Sequence, residues 1–293
     1  MGRDLRELLS RGPFVAADAY SPLTGRIVEQ AGFGAAYLGG HSAGIMHHAI
    51  PDVGILAPDE QIELAARIAS AISIPLIADA DTAGFHVAET YRVVQGYERA
   101  RVAAIHIEDE MVPRHSNFDA GLVDVAEMQA KLEAAVAARK DPDFLLIARC
   151  DEFYTSTIAG PGLVGPGSGS IEEGVRRGRA YAEVGADVLL VPFASGGQVA
   201  TLAEEVGIPI AVFGRILPSA AFGISTGWGV GAAAQIHRQL AERLAELGAL
   251  EELDGFTAEL TTPLLSFPDK RKLTDEERYE QVVTRWVDRT ERN

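Results

Sequence analysis

Along the chain, short apolar runs alternate with longer stretches in which apolar residues recur every three or four positions. The short runs are Phe14–Ala17, Ala35–Leu38, Leu76–Ala78, Ala103–Ile107, Phe144–Ala148, Val188–Val191 and Ile208–Val212. Each is nearly continuous rather than alternating, the pattern of parallel strands covered on both faces. Between them, Thr24–Ala31, Pro58–Ala71, Val87–Arg99, Val125–Lys140, Ile171–Val184 and Gln198–Val206 read as helices. In "PDEQIELAARIASAI", Ile62, Ala65, Ala66, Ile68 and Ala69 fall at helical spacing. Asp59 is placed to cap that helix, and Glu60 suits its positive start. Strands each followed by a helix predict an α/β fold, a (β/α)8 TIM-type barrel, with a weak eighth-strand signal near Ala221–Ser225. An open doubly wound sheet is the alternative, disfavoured because no dinucleotide fingerprint follows the first strand.

Two segments break the rhythm. "EFYTSTIAGPGLVGPGSGSIEEG" follows the fifth strand, and its Gly, Pro and Ser content predicts no stable helix through its middle. Such a loop, spanning 152–172, is either a lid over a site at the strand ends or a passive insertion. The tail "FPDKRKLTDEERYEQVVTRWVDRTERN" reads as a terminal helix, with a capping box of Thr274 and Glu277 and an apolar stripe of Tyr279, Val282, Val283 and Trp286. No linker divides the chain, so 1–293 is expected to form a single barrel domain, with about 230–293 as a C-terminal helical extension.

Totals narrow the function. A formal net charge of -16 and a pI near 4.9 oppose binding to nucleic acid or to an anionic membrane. The single cysteine, Cys150, excludes an internal disulfide and suits a reducing, cytoplasmic compartment. The N-terminal "MGRDLRELLSRGPF" is charged and amphipathic, which is unlike a secretory leader, and no long apolar run predicts a membrane span.

The chemistry gathers where strands end. The second strand runs into "YLGGHSAG", the third into "DADTAG", the fourth into "HIEDE" and the fifth into "ARCDEF". Asp79, Asp81, Glu108, Asp109 and Asp151 therefore collect at one rim, with Arg149 the nearest cation in sequence. Carboxylates this close repel, and a divalent cation relieves the conflict. An all-oxygen donor set suits Mg2+ or Mn2+ better than zinc. Caps for the following helices and a salt bridge to Arg149 are the plain structural alternative.

The pieces "AAYLGG", "IPDVGI", "PLIADADTAGF", "AAIHIEDE", "DPDFLLIARCDE" and "GRAYAEVGADVLLVP" together resemble the isocitrate lyase and phosphoenolpyruvate mutase superfamily, in particular its short, methylisocitrate lyase-like members. The resemblance implies a barrel with magnesium at the strand ends, held by Asp79, Asp81 and Glu108, directly or through water. It implies a homo-oligomer, a tetramer or dimer, that can exchange its last barrel helix. It makes Arg149 a catalytic and substrate-binding residue and Asp52, on the loop after the second strand, a catalytic one. It assigns Tyr37, Gly39, Gly40 and His41 to a segment whose backbone donors hold a substrate carboxylate.

The chain also departs from its relatives. Where lyases of this superfamily carry "KRCGH", with a cysteine that protonates the product enolate, this chain reads "EDEMVPRHSNFDAG". Ser116 falls near the cysteine position and is a poor acid, and His115 is the substitute with a suitable pKa. Arg114 with "SN" only loosely matches the mutase segment. Pro192 stands where tricarboxylate lyases place a glutamate, and the expected asparagine is lost around Val212–Gly214, so the distal substrate group is expected to be smaller or more apolar. His47 and His48 read as a solvated pair and Cys150 as packing.

The expected function is Mg2+-dependent C–C cleavage of a small anionic 2-oxo or 2-hydroxy carboxylate through an enolate, by a lyase, hydrolase or decarboxylase. Phosphoenolpyruvate mutase or phosphonopyruvate hydrolase chemistry and a non-catalytic metabolite-binding barrel are the alternatives.

Overall fold

The computed structural model describes residues 1–118, 120–159, 162–213 and 222–225. Eight parallel strands close into a barrel in sequence order. They are β1 Phe14–Asp18, β2 Ala35–Leu38, β3 Leu76–Asp79, β4 Ala104–Glu108, β5 Leu145–Arg149, β6 Val188–Leu190, β7 Ile210–Phe213 and β8 Phe222–Ser225. β8 pairs with both β7 and β1 and completes the ring, so the open sheet is ruled out. The helices are α1 Gly2–Arg11, α2 Pro22–Gln30, α3 Gly40–Ala43, α4 Pro58–Ala69, α5 Val87–Arg99, α6 Val125–Ala138, α7 Ser156–Ala159, α8 Ile171–Glu183 and α9 Gly196–Glu205. The C-terminal extension, its capping box and any exchanged helix lie outside the described residues.

Several strands run one residue past their apolar stretch, taking in Asp18, Asp79, Glu108 and Arg149. The ladder continues where hydrophobicity stops, because these side chains turn into the barrel mouth. Alternation then sorts each strand. Ile77, Ala104, Leu145, Ile147, Val188 and Leu190 face the barrel interior. Leu76, Ala78, Ile105, Ile107, Leu146 and Leu189 pack outward against the helices.

The charged N-terminal stretch forms α1, which closes the bottom of the barrel. Leu5 is fully buried in the interior cluster, with Leu8 and Leu9 packed beside it. Arg6 fastens the helix from outside through Pro142 O at 3.0 Å and Asp187 Oδ1 at 2.9 Å.

The start of α4 corrects one expectation. Its cap is Ala57, whose amide donates to the Glu60 carboxylate at 3.0 Å, while Asp59 sits within the first turn. Pro58 takes the first helical position, where its missing N–H costs nothing, and this puts the cap two residues before Asp59.

Leu5→Ala should lower stability by about 2–4 kcal/mol through the cavity left in the plug. Denaturant unfolding monitored by circular dichroism checks this; an unchanged midpoint would mean that α1 does not seal the barrel.

Candidate active site

The same alternation builds a polar layer over the apolar interior. Asp79, Glu108 and Arg149 end β3, β4 and β5 on the inward face, and Glu108 lies directly across the ladder from Arg149. One layer below Glu108 is His106, fully buried and paired in register with Asp79. Its Nε2 lies 2.9 Å from the Tyr37 hydroxyl, and its Nδ1 lies 3.5 Å from Asp79. Burial first, and then the two nearby arginines against the opposing pull of Asp79, push His106 down to about 4. A neutral imidazole thus bonds Tyr37 and lies next to Asp79.

Asp79 and Asp81 converge, but not by strand alternation: β3 ends at Asp79, and Asp81 sits in the turn that follows with φ at 50°. Asp79 Oδ1 accepts from the Asp81 amide at 2.8 Å, and Asp79 Oδ2 accepts from the Gly40 amide at 2.9 Å. Gly40 has to be glycine: a Cβ there would lie 2.7 Å from Asp81 Oδ1. Its amide is committed to Asp79, which removes it from the backbone donors expected to hold a substrate carboxylate.

The countercharge comes from an unexpected residue. Arg114, only 1% exposed, reaches from the β4 loop into the carboxylates. Its Nη1 lies 2.6 Å from Glu108 Oε1, and its Nη2 lies 2.5 Å from Asp52 Oδ1 and 2.8 Å from Asp81 Oδ1. Arg149, the cation chosen from sequence, takes the other side. It bonds Asp151 Oδ1 through Nε at 3.1 Å and Nη2 at 2.9 Å, and meets Glu108 Oε2 at 2.9 Å. The loop position of Arg114 hid this role, since strand-end logic does not reach into a loop.

Other predicted residues separate. His41 lies 3.5 Å from Asp52. His115 stands over the same cavity and pairs with Glu110 at 2.9 Å. Ser116 is drawn into its own turn: its hydroxyl donates to Pro113 O at 2.8 Å and it does not line the cavity. Asp109 also departs from the rim, because the residue after an inward Glu108 faces outward. It accepts from Tyr181 at 2.6 Å and pairs with Arg177 at 3.2 Å. Cys150 is buried on that outer side, and burial pushes its thiol well up, as suits packing. His47 and His48 are exposed.

Among its described residues, the long loop after β5 forms a three-residue turn at Asp151–Phe153 and the single-turn α7. Its foot is clamped by buried Glu152, whose carboxylate accepts from the Ser168 and Ser170 amides at 3.1 and 3.0 Å. Asn117 stitches it to the Arg114 loop by donating to Gly162 O at 2.7 Å and accepting from the Val164 amide at 2.9 Å.

Asp52, Asp79, His41, His115 and Arg149 border one cavity of about 200 Å³ that also takes in Tyr37, Gly39, Tyr154, Phe193 and Phe213. Tyr154 and Phe193 stand in the loops after β5 and β6 and Phe213 ends β7, positions that carry no periodic signal in the sequence.

The donor set fits a hard divalent cation in chemistry. Burial, reinforced by Asp79, Asp52 and Glu108 against the pull of Arg114, pushes Asp81 up to about 8. Burial likewise raises Glu108 in spite of both arginines. Two guanidinium groups therefore leave this layer short of positive charge. Among the described residues, no three of these side chains stand ready as a cation cage, because Arg114 lies between them.

Comparison with known proteins gives the same picture. A family model described as phosphoenolpyruvate phosphomutase matches residues 5–233. The 2,3-dimethylmalate lyase of Eubacterium barkeri is 35% identical over 197 residues, 66% of this chain and 64% of that protein. The phosphonopyruvate hydrolase of Variovorax sp. (strain Pal2) is 40% identical over 192 residues, 64% of this chain and 62% of that protein. The chain thus spans less than two thirds of the length of these relatives. A crystal structure of phosphonopyruvate hydrolase with oxalate and Mg++ superposes with a TM-score of 0.66 at 30% identity, over 98% of this chain and 99% of that one. The relatives are enzymes and include lyases, hydrolases and decarboxylases. No helix among the described residues is long and apolar enough to cross a membrane. A match of this extent, running through the strand ends that carry the carboxylates, means that the chain belongs to the phosphoenolpyruvate phosphomutase family of the isocitrate lyase and phosphoenolpyruvate mutase superfamily.

Proposed function

We propose that this protein is a Mg2+-dependent enzyme that cleaves a C–C bond of a 2-oxo or 2-hydroxy carboxylate through an enolate. The observation that carries this reading is the convergence of Asp79, Asp81, Glu108 and Arg149 at the mouth of one barrel, beside a cavity bounded by Gly39 and His41. Asp79, Asp81 and Glu108, with Asp52 beside them, would hold the cation, which supplies Lewis-acid polarisation of a substrate oxygen. The small carboxylate is the partner, and the family likeness supports a cytoplasmic homo-oligomer, a tetramer or dimer.

The chain's own groups do the rest. Arg149 is locked by Asp151 and Glu108 and lies with its guanidinium carbon 5.3 Å from the Phe213 ring centre. A cation fixed in advance stabilises negative charge as it develops, without reorganising during the reaction. His115 is the proton donor to the enolate carbon. Burial opposes its charge, but the Glu110 carboxylate outweighs burial and pushes it up to about 9, so it is protonated at neutral pH. Asn117 ties the long loop to the Arg114 loop, with Leu163 from the long loop on the cavity wall.

Phosphorus–carbon chemistry is the second reading, favoured by the 40% identity to phosphonopyruvate hydrolase. Phosphate release from phosphonopyruvate, without cleavage of any oxo or hydroxy acid, would replace the first reading with the second.

Three outcomes follow for solution work. Arg114→Met removes the internal countercharge, so the metal-free variant should melt lower and bind Mg2+ about tenfold more tightly by calorimetry. Asp81→Asn should weaken Mg2+ binding at least tenfold, and unchanged affinity in both variants would contradict the assigned metal layer. His115 is charged below about 9 and loses its proton above it. Turnover should therefore fall as pH rises through about 9, and His115→Gln should lower turnover roughly 100-fold and flatten that limb. A basic limb that survives in the variant would give the acid role to another group.

A further inference from the structure

The cavity has two unlike halves. Its floor is polar, with Asp79, Arg149 and the Gly40 backbone. Phe213 lies against that floor, its ring centre 5.3 Å from the Arg149 guanidinium carbon, and the remaining apolar lining is Ile45, Val53, Tyr154, Leu163 and Phe193. From these we infer that the substrate carries an apolar side chain, branched alkyl or phenyl, on the 2-oxo or 2-hydroxy acid head, and that Phe193 and Tyr154 select it. The inference rests on the head-group reading above and adds what lies beyond the head.

Phe193 is the informative residue. It follows β6 with φ at 62°, a left-handed backbone that glycine or asparagine adopts readily and a bulky ring rarely does. Its ring centre is 5.0 Å from that of Tyr154, which in turn lies 5.3 Å from His115. The strained backbone thus holds an aromatic wall beside the group assigned as proton donor, with Phe193 still 38% exposed.

Charge points the same way. Arg149 is engaged by Asp151 and Glu108, and His115 by Glu110. The other basic side chain lining the cavity among the described residues is His41, beside Asp52. A second carboxylate or a phosphoryl group against this apolar lining would be desolvated, with no cation in reserve. An apolar substituent gains from the same surface, about fourfold in affinity for each methylene buried.

The test is calorimetric binding to the full chain in Mg2+ buffer. Oxalate probes the head site alone; pyruvate, 4-methyl-2-oxopentanoate, phenylpyruvate and 2-oxoglutarate vary the distal group. The branched and phenyl acids should bind at least tenfold more tightly than pyruvate, and 2-oxoglutarate no better than pyruvate. Phe193→Gly, which suits the left-handed backbone, should keep oxalate affinity and lose at least tenfold of the apolar preference. Leu163→Lys, at a half-buried position, should turn the preference towards 2-oxoglutarate. Oxalate binding without any apolar preference in the wild type, or a preference untouched by both variants, overturns the inference and leaves the head-group reading standing. Failure of oxalate itself to bind overturns both.

Discussion

The mutual repulsion of carboxylates buried at the mouth of the barrel is the constraint around which the site is built. Asp52, Asp79, Asp81 and Glu108 are all largely removed from water, where like charges interact far more strongly than at a surface. The fold answers with two guanidinium groups from opposite sides, Arg114 from a loop and Arg149 from a strand. Even so, Asp81 is held up to about 8 by burial and its acidic neighbours. A site in that condition is primed for a further positive charge.

The rest of the architecture serves this layer. The ladder sets Glu108 opposite Arg149 and Asp79 opposite His106, so the charges are fixed by backbone register rather than by flexible side chains. Gly40 lets the β2 loop approach the two aspartates closely. Beneath, α1 seals the barrel with Leu5. Outside, Asp109, Arg177 and Tyr181 form a separate buried network against the barrel wall, and Asp109 accepts from the Asp151 amide at 2.9 Å. That bond secures the chain where Asp151 turns to meet Arg149.

Much of this could be read from the sequence. Continuous apolar runs marked the strands because both faces of a barrel strand are covered, and the weak eighth signal fell where β8 closes the ring. The period of two turns Asp79 and Glu108 inward and Asp109 outward, but Asp81 joins Asp79 through a left-handed turn that no period encodes. What stayed hidden depended on loops. Arg114 enters the site through a loop whose path no periodicity encodes, Ser116 is consumed by its own turn, and the cap of α4 moved because Pro58 competes for the helix start. The aromatic lining of the cavity, Tyr154, Phe193 and Phe213, comes from the ends of three separate strands and their loops, and only closure of the barrel brings these together.

The central claim is that the carboxylate layer takes a divalent cation and that the cation and a small acid bind as one unit. The most direct test is titration of the wild-type chain with oxalate, with and without Mg2+. The expected result is one Mg2+ per chain and oxalate binding that depends on it, weakening at least 100-fold when the metal is chelated. Oxalate that binds equally well without Mg2+ would contradict it and leave the two arginines as the whole of the anion site.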